Sequence, residues 1–382
     1  MIVHYNIFIH GIQNMAIKAG LVGLPNVWKS TLFNALTKSS IPMENYPFCT
    51  IDPNVAITEV PDERMLTLQK IYSSQKLIPT SLSFVDIAGL VAGAATGEGL
   101  GNQFLSHIRE VDLILHVLRC FDDSSIIRTG KVDPINDFEV IVQELMLKDL
   151  ESVDKRIPKV EKLMRGNINP QEKKQLTQEL ELLHTLKKEL DNGTIDSVKK
   201  ILSQFPIPTT ELLSGKNFLI IANVSEDDLQ NDMYTQNQYY QSLVKKFGQS
   251  VVIPVSARIE HELSLLEKNE QDEMMQELGI THKGLDQVIK TTFNYLNLIT
   301  FFTCGPKEIH AWQIKKGTTA REAAGEIHSD LQRGFICCET LNYDALVQHG
   351  SPVAAKQAGK YRIEGSDYIV QDGDIINVRF NV

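Results

Sequence analysis

Residues 23–31 read Gly-Leu-Pro-Asn-Val-Trp-Lys-Ser-Thr. They follow the phosphate-loop pattern G-x-x-x-x-G-K-[ST] at every fixed position but one, because Trp28 stands where the second glycine belongs. In that pattern a tight turn between strand and helix aims backbone N–H groups at an anion, and the helix N-terminus adds its positive end. Lys29 would reach the β- and γ-phosphates, and the Ser30 hydroxyl would ligate Mg²⁺. Asn26, Val27, Trp28, Lys29, Ser30 and Thr31 are therefore candidate nucleotide-binding residues. Taken alone, the match is weak because the second glycine is missing, and a plain strand–helix turn is the alternative. Three further motifs change that. Asp86-Ile-Ala-Gly89 follows the run Ser-Phe-Val, so Asp86 can hold Mg²⁺ through water and Gly89 can offer its N–H to a γ-phosphate. Asn223-Val-Ser-Glu226 follows Phe-Leu-Ile-Ile-Ala, so Asn223 can brace the loop and a base, with Val224 beside it and Glu226 at a purine edge. Ser256-Ala257 follows Val-Val-Ile-Pro-Val, at the right place for backbone contacts to a base. Thr50, between the first two motifs, could close on Mg²⁺ and the γ-phosphate. Lys29, Thr50 and Gly89 are the catalytic candidates, and Ser30, Thr50 and Asp86 the metal candidates. Each tetrapeptide is common, but four in order, each at the end of an apolar strand, are not.

The elements that must carry these residues read as short buried strands at 17–23, 82–85, 113–118, 218–222 and 251–255, with a helix over 30–37. Strands alternating with helices predict a mostly parallel α/β sheet, whose ligands gather at the carboxyl ends of the strands. Residues 138–204 differ, with Leu176, Leu180, Leu183, Leu186 and Leu190 forming a helical stripe and Arg165–Pro170 a turn. This is read as an antiparallel, coiled-coil-like helical hairpin inserted into the nucleotide domain, with Pro158 expected to kink or interrupt its first arm. Residues 298–382 read as a β-grasp-like α+β domain, with strands at 301–304, 310–313, 368–369 and 375–380 and a helix over 320–331. The organisation expected is an extension (1–14), the nucleotide domain in two parts (15–137 and 205–297), the hairpin (138–204) and the C-terminal domain (298–382). The net charge of −10 argues against coating nucleic acid by bulk electrostatics. The five cysteines, Cys49, Cys120, Cys304, Cys337 and Cys338, have no metal-ligand spacing and suit a reducing cytoplasm. No apolar run is long enough for a membrane helix.

Together, GLPNVxKSTLFNALT, NYPFCTIDPN, FVDIAGLVxGAxxGEGLGNQFL and NVSE resemble the YchF/Obg-like ATPases of the translation-factor P-loop class. The resemblance runs from about Ala16 to Val382, and the C-terminal stretch resembles that family's TGS domain. It implies a nucleotide-dependent switch that slowly hydrolyses ATP in preference to GTP. GTPases of this class use N-K-x-D, but here the lysine is Val224 and the aspartate is the longer Glu226. A Glu226 that still reads guanine is the alternative. Leu90 replaces the water-orienting glutamine of Ras-like enzymes, and Asn26 fits the asparagine that accompanies K⁺ use in relatives. The resemblance also implies ribosome association, chiefly with the large subunit.

Lys155, Arg156, Lys159, Lys162 and Arg165 form a basic strip on the hairpin that could meet RNA phosphates, as could the TGS domain. His107, Arg109 and His116 are candidate catalytic helpers, with His116 better read as core packing. Relatives carry a histidine shortly after the Arg-Cys-Phe segment, where this chain has Arg128 nearby. Trp28 is expected to adopt left-handed backbone at a cost of roughly 1–2 kcal/mol, weakening binding or hydrolysis. Two rival readings remain: a ribosome-binding scaffold that has lost turnover, and a GTP-specific ribosome-assembly factor.

Overall fold

All five of the expected apolar runs become neighbouring, parallel strands of one sheet. The computed structural model describes residues 17–38, 54–87, 100–122, 131–166, 168–204 and 212–381. Its first elements are β1 (Lys18–Val22), α1 (Lys29–Lys38), β2 (Val55–Glu59), α2 (Arg64–Tyr72), β3 (Lys76–Ile78), β4 (Ser81–Asp86), α3 (Leu100–Glu110) and β5 (Leu113–Arg119). Then come α4 (Pro134–Met164), α5 (Pro170–Asn192), α6 (Ile195–Gln204), β6 (Phe218–Asn223), α7 (Glu226–Leu229), a 3-10 segment (Gln230–Gln236) and α8 (Gln238–Phe247). Next are β7 (Val252–Val255), α9 (Ala257–Leu263), α10 (Lys268–Glu277), α11 (Gly284–Tyr295), β8 (Leu298–Cys304) and β9 (Glu308–Lys315). The chain closes with α12 (Ala320–Ile327), α13 (Ser329–Arg333), β10 (Phe335–Asn342), α14 (Tyr343–His349), α15 (Pro352–Gln357), β11 (Arg362–Glu364) and β12 (Asp374–Phe380).

One sheet has the order β2-β4-β1-β5-β6-β7. The pairs β1/β4, β1/β5, β5/β6 and β6/β7 are parallel. All seven residues of β5 are buried, as expected of a central strand covered on both faces. The register aligns the strand ends, with Leu21 opposite Asp86, Arg119 opposite Asn223, and Asn223 opposite Val255. The candidate motifs therefore leave the sheet along one edge. On α1 the buried residues include Leu32, Phe33 and Leu36, the face predicted for it.

The inserted hairpin is α4 and α5, with α6 following. Asp133 caps α4 through the Asn136 N–H with Pro134 next, and Asn169 and Glu172 form a reciprocal capping box on α5 with Pro170 next. The expectation of an interruption at Pro158 is corrected, because α4 runs through it as one helix. Proline removes one helical hydrogen bond there, but neighbouring contacts hold the turn. Val153 and Val160 are buried in one cluster with Leu182, Leu183 and Leu186 of α5. Cross-arm ion pairs flank the site at 2.7 Å, Arg156 to Glu179 and Lys187 to Asp154.

A second sheet has the order β11-β10-β12-β8-β9-β3. Residues 58–82, which the sequence reading assigns to the first part of the nucleotide domain, cluster instead with residues 289–382. There β3 pairs parallel to β9, Lys76 facing Glu308 and Ile78 facing His310. Met65 and Leu68 of α2 share a core with Phe302, Ile309, Leu341 and Ile375. On the alternate side chains, Phe301, Ile314 and Ile376 pack with Ala320 and Ala323 of α12. The helix expected over 320–331 is divided at His328, whose extended backbone (φ −166) caps α13. The strand expected at 368–369 is a single bridge from Ile369 to Thr319.

Candidate nucleotide-binding site

The phosphate-type loop joins β1 to α1. Gly23 is needed for close approach, since a Cβ there would lie 2.7 Å from Val27 Cγ2 and 2.9 Å from the Val117 carbonyl oxygen. Two non-glycine residues in the loop have left-handed backbone, Asn26 at φ 65 and Trp28 at φ 64. Asparagine tolerates this region, but a bulky indole does not, so Trp28 stores strain of about 1–2 kcal/mol. The Trp28 carbonyl accepts the Leu32 N–H at 3.1 Å, which seats it at the start of α1. Lys29 is buried, and its Nζ is ion-paired with the Asp86 carboxylate at the end of β4. Ser30 is exposed and Thr31 half-buried on the first turn.

Asn223 ties this loop to the other strand ends. It is 2% exposed, its Nδ2 donates to the Val27 carbonyl at 3.0 Å, and its Oδ1 accepts the Ala257 N–H at 2.9 Å. Val224 is buried and donates its N–H to the Val255 carbonyl at 2.9 Å. Ser225 and Asp228 form a capping box that starts α7 at Glu226. Ser256 is buried at the N-terminus of α9. A cleft of about 470 Å³ opens among Trp28, Phe121, Asn223, Glu226, Ser256 and Arg258. Thr50, Gly89, Leu90, Arg128 and residues 1–14 lie outside the described residues, as does Cys49. His107 and Arg109 lie on α3. His116 is core: it is buried between Phe138 (ring centroids 4.7 Å apart) and Phe218 (5.6 Å). Burial, helped by the nearby Lys199 charge, pushes its imidazole down to about 3, so it stays neutral.

A family model described as "50S ribosome-binding GTPase" matches residues 18–157. The model for the C-terminal part of YchF GTPases, described as a protein of unknown function, matches residues 298–381. "Ribosome-binding ATPase YchF" of Bacillus subtilis is 47% identical, over 96% of this chain and 100% of that protein. "Obg-like ATPase 1" of Oryza sativa subsp. japonica is 45% identical, over 96% of this chain and 92% of its own length. The solved "Structure of the Schizosaccharomyces pombe YchF GTPase" aligns at TM-score 0.80 and 37% identity, covering 97% of this chain and 99% of that one. The chain belongs to the YchF family.

Phe121 and Arg258 of this YchF-family cleft, and Arg119 beside Phe121, carry no motif in the sequence. Phe121, just past β5, meets the Trp28 indole edge-on with centroids 5.9 Å apart. Arg119, the last residue of β5, is 4% exposed, and its Nε and Nη1 have no hydrogen-bond partner among the described residues. Its guanidinium carbon lies 6.0 Å from the Phe121 ring centroid. Arg258, one residue past the Ser256-Ala257 pair, binds Glu226 Oε1 through Nε at 2.6 Å. The one usable signal for Phe121 and Arg119 is their position at the carboxyl end of a fully buried strand. On the hairpin, Lys155, Lys159, Lys162 and Arg165 are exposed, but Arg156 leaves the expected basic strip for Glu179, which is only 4% exposed.

Proposed function

We propose that this YchF-family chain is a cytoplasmic, ribosome-associated, Mg²⁺-dependent ATPase that acts as a nucleotide-dependent switch, with ATP preferred over GTP and turnover impaired by Trp28. The observation that carries the nucleotide reading is Asn223, which joins the phosphate loop to the two strand-end motifs across one cleft. The ribosome partner rests on the name of the Bacillus subtilis relative. Among the described residues no helix is long and apolar enough to cross a membrane.

In this reading Lys29 exchanges Asp86 for the β- and γ-phosphates. Asp86, through water, and the Ser30 hydroxyl would then be the residues to hold Mg²⁺, which would offset phosphate charge. Mg²⁺ suits such a sparse set, because it keeps several waters and takes few protein oxygens besides those of phosphate. Thr50 and Gly89 sense the γ-phosphate, and Asn26 is positioned to favour K⁺. Phe121 offers a flat apolar face to a base, and Ser256 and Ala257 supply backbone contacts. The exposed Lys155, Lys159 and Lys162 step by four and three along one helical face, suited to RNA phosphates. The TGS-like C-terminal domain supplies a second surface for RNA, and the large subunit is the expected ribosomal partner.

Calorimetric titration of ATP with Mg²⁺ into the chain, followed by single-turnover hydrolysis beside Trp28→Gly, tests this reading. Binding with slow turnover, faster in Trp28→Gly, is expected. Binding without turnover in the chain as it stands, with turnover returning only in Trp28→Gly, supports the scaffold reading, in which Trp28 has removed turnover. GTP binding ahead of ATP overturns the base preference. Turnover equal in Na⁺ and K⁺ overturns the role of K⁺.

A further inference from the structure

Charged side chains buried in this fold hold partners. Lys29 has Asp86, Glu179 has Arg156, Asp149 accepts from the Leu213 and Ser214 N–H groups, and Glu260 accepts from Gly284. Arg119 breaks the pattern. It is 4% exposed, and among the described residues its Nε and Nη1 have no hydrogen-bond partner and no carboxylate pairs with it. Asp122, a little further along the chain, accepts from the Tyr239 hydroxyl at 3.0 Å instead. An unpaired buried cation destabilises the chain that carries it, and so points to an anion that completes it on binding.

The place of Arg119 says which anion. β5 lies between β1, which feeds the phosphate loop, and β6, which ends in Asn223. Arg119 is in register with Asn223, so the two side chains leave the same face of the sheet. Asn223 uses that face to reach the Val27 carbonyl of the loop. The alternate residues along the chain agree. Val117 closes on Gly23, where a Cβ would lie 2.9 Å from the Val117 carbonyl oxygen and 3.5 Å from its Cβ, and Phe121 meets Trp28. Arg119 therefore stands behind the loop, between the contacts made at Gly23 and at Trp28. A nucleoside triphosphate with its outer phosphates at Lys29 and its base beside Glu226 crosses the end of β5 with the phosphate nearest the sugar.

We propose that Arg119 is a phosphate-binding residue of this site, attracting the α-phosphate of a bound nucleotide by its charge from behind the loop. The inference rests on the nucleotide-binding reading above. Lys29 serves the outer phosphates at the β4 side, and Arg119 serves the inner one at the β5 side. Burial leaves the guanidinium charge little screened by water, so it acts across the loop backbone without touching the ligand. Such a cation favours mono-, di- and triphosphates alike over the bare nucleoside.

The test is displacement of a fluorescent ATP analogue by adenosine, AMP and ATP, with Mg²⁺. It is run on the chain as it stands and on Trp28→Gly, each with Arg119→Met and Arg119→Lys. The ratio of adenosine Kd to AMP Kd isolates the first phosphate. Arg119→Met, which keeps the bulk without the charge, is expected to lower that ratio about tenfold and to weaken ATP by a like factor, with adenosine unchanged. Arg119→Lys keeps the charge and returns the ratio toward that of the parent. Urea titration of Arg119→Met should show no loss of stability, because an apolar side chain relieves an unpaired buried charge. An unmoved ratio, an equal loss for adenosine and AMP, a lysine variant that behaves as the methionine one, or a marked loss of stability in Arg119→Met overturns the proposal. If even Trp28→Gly binds none of the three ligands, the nucleotide-binding reading itself fails, an outcome distinct from an unmoved ratio in a chain that binds them.

Discussion

The two halves of the cleft are built to different standards. On the base side the backbone is tied down: Asn223 uses both ends of its amide, Ser225 and Asp228 cap α7, and Glu226 lies in an ion pair with Arg258. On the side of the proposed phosphate loop an indole sits at φ 64, and Lys29 is ion-paired with Asp86. A satisfied network fixes one geometry, while a strained loop holds its shape only because its surroundings impose it. Damage to nucleotide handling should therefore appear in the phosphate terms and leave nucleoside recognition intact.

The largest expected effect comes from breaking the base side. Asn223→Ala leaves the buried Val27 carbonyl and Ala257 N–H without partners, at about 1–3 kcal/mol each. A fall of about 2–4 kcal/mol in unfolding free energy by urea titration is expected, with nucleotide binding lost. A loss below about 1 kcal/mol would show that the amide bridge does not hold the two halves together.

Next in size is relief of the phosphate side. Trp28→Gly removes about 1–2 kcal/mol of left-handed strain, partly offset by the freedom glycine gains when unfolded. ATP should bind about tenfold more tightly while adenosine changes little, as read by calorimetry with both ligands. Equal gains for the two would erase the contrast between the halves.

The smallest effect concerns Glu260, on α9 behind the base side. It is buried, and its Oε1 accepts the Gly284 N–H at 2.6 Å at the start of α11. Burial pushes its carboxyl up to about 7 from an ordinary 4.5, against the opposing hydrogen bonds from Gly284 and Leu285. The folded state thus holds this proton more tightly than the unfolded chain. Its contribution to stability is complete below pH 4.5 and is lost as pH rises through about 7. Glu260→Gln keeps an acceptor for Gly284 without the charge. The variant's stability relative to the parent should therefore rise between pH 5 and pH 8, by chemical denaturation at each pH. A pH-independent difference would mean the carboxyl titrates normally.

The phosphate loop and the strands around it are legible in the sequence because their signals are local. Gly23, Lys29 and Ser30 lie within eight positions, and β5, β6 and β7 are mostly apolar runs. The left-handed backbone at Trp28 follows from where a glycine was expected. What the sequence conceals depends on partners far along the chain. β3 is three residues, Lys-Leu-Ile, and becomes a strand only because β9 accepts it. Arg156 looks like one more cation on a basic face, yet Glu179 of the other arm turns it inward. Arg258 reads as a surface residue of α9 until Glu226 is brought to it. Pro158 misleads in the other direction, since a local helix breaker is overruled by packing against α5.

The Trp28 side chain also makes the cleft visible to light. The chain has two tryptophans, and the other, Trp312, stacks on His310 with centroids 3.6 Å apart in the second sheet. With Trp312→Phe, all indole emission would arise beside the ring of Phe121. The residue that strains the phosphate loop would then be its own optical probe, and occupancy of the site could be followed without a labelled ligand.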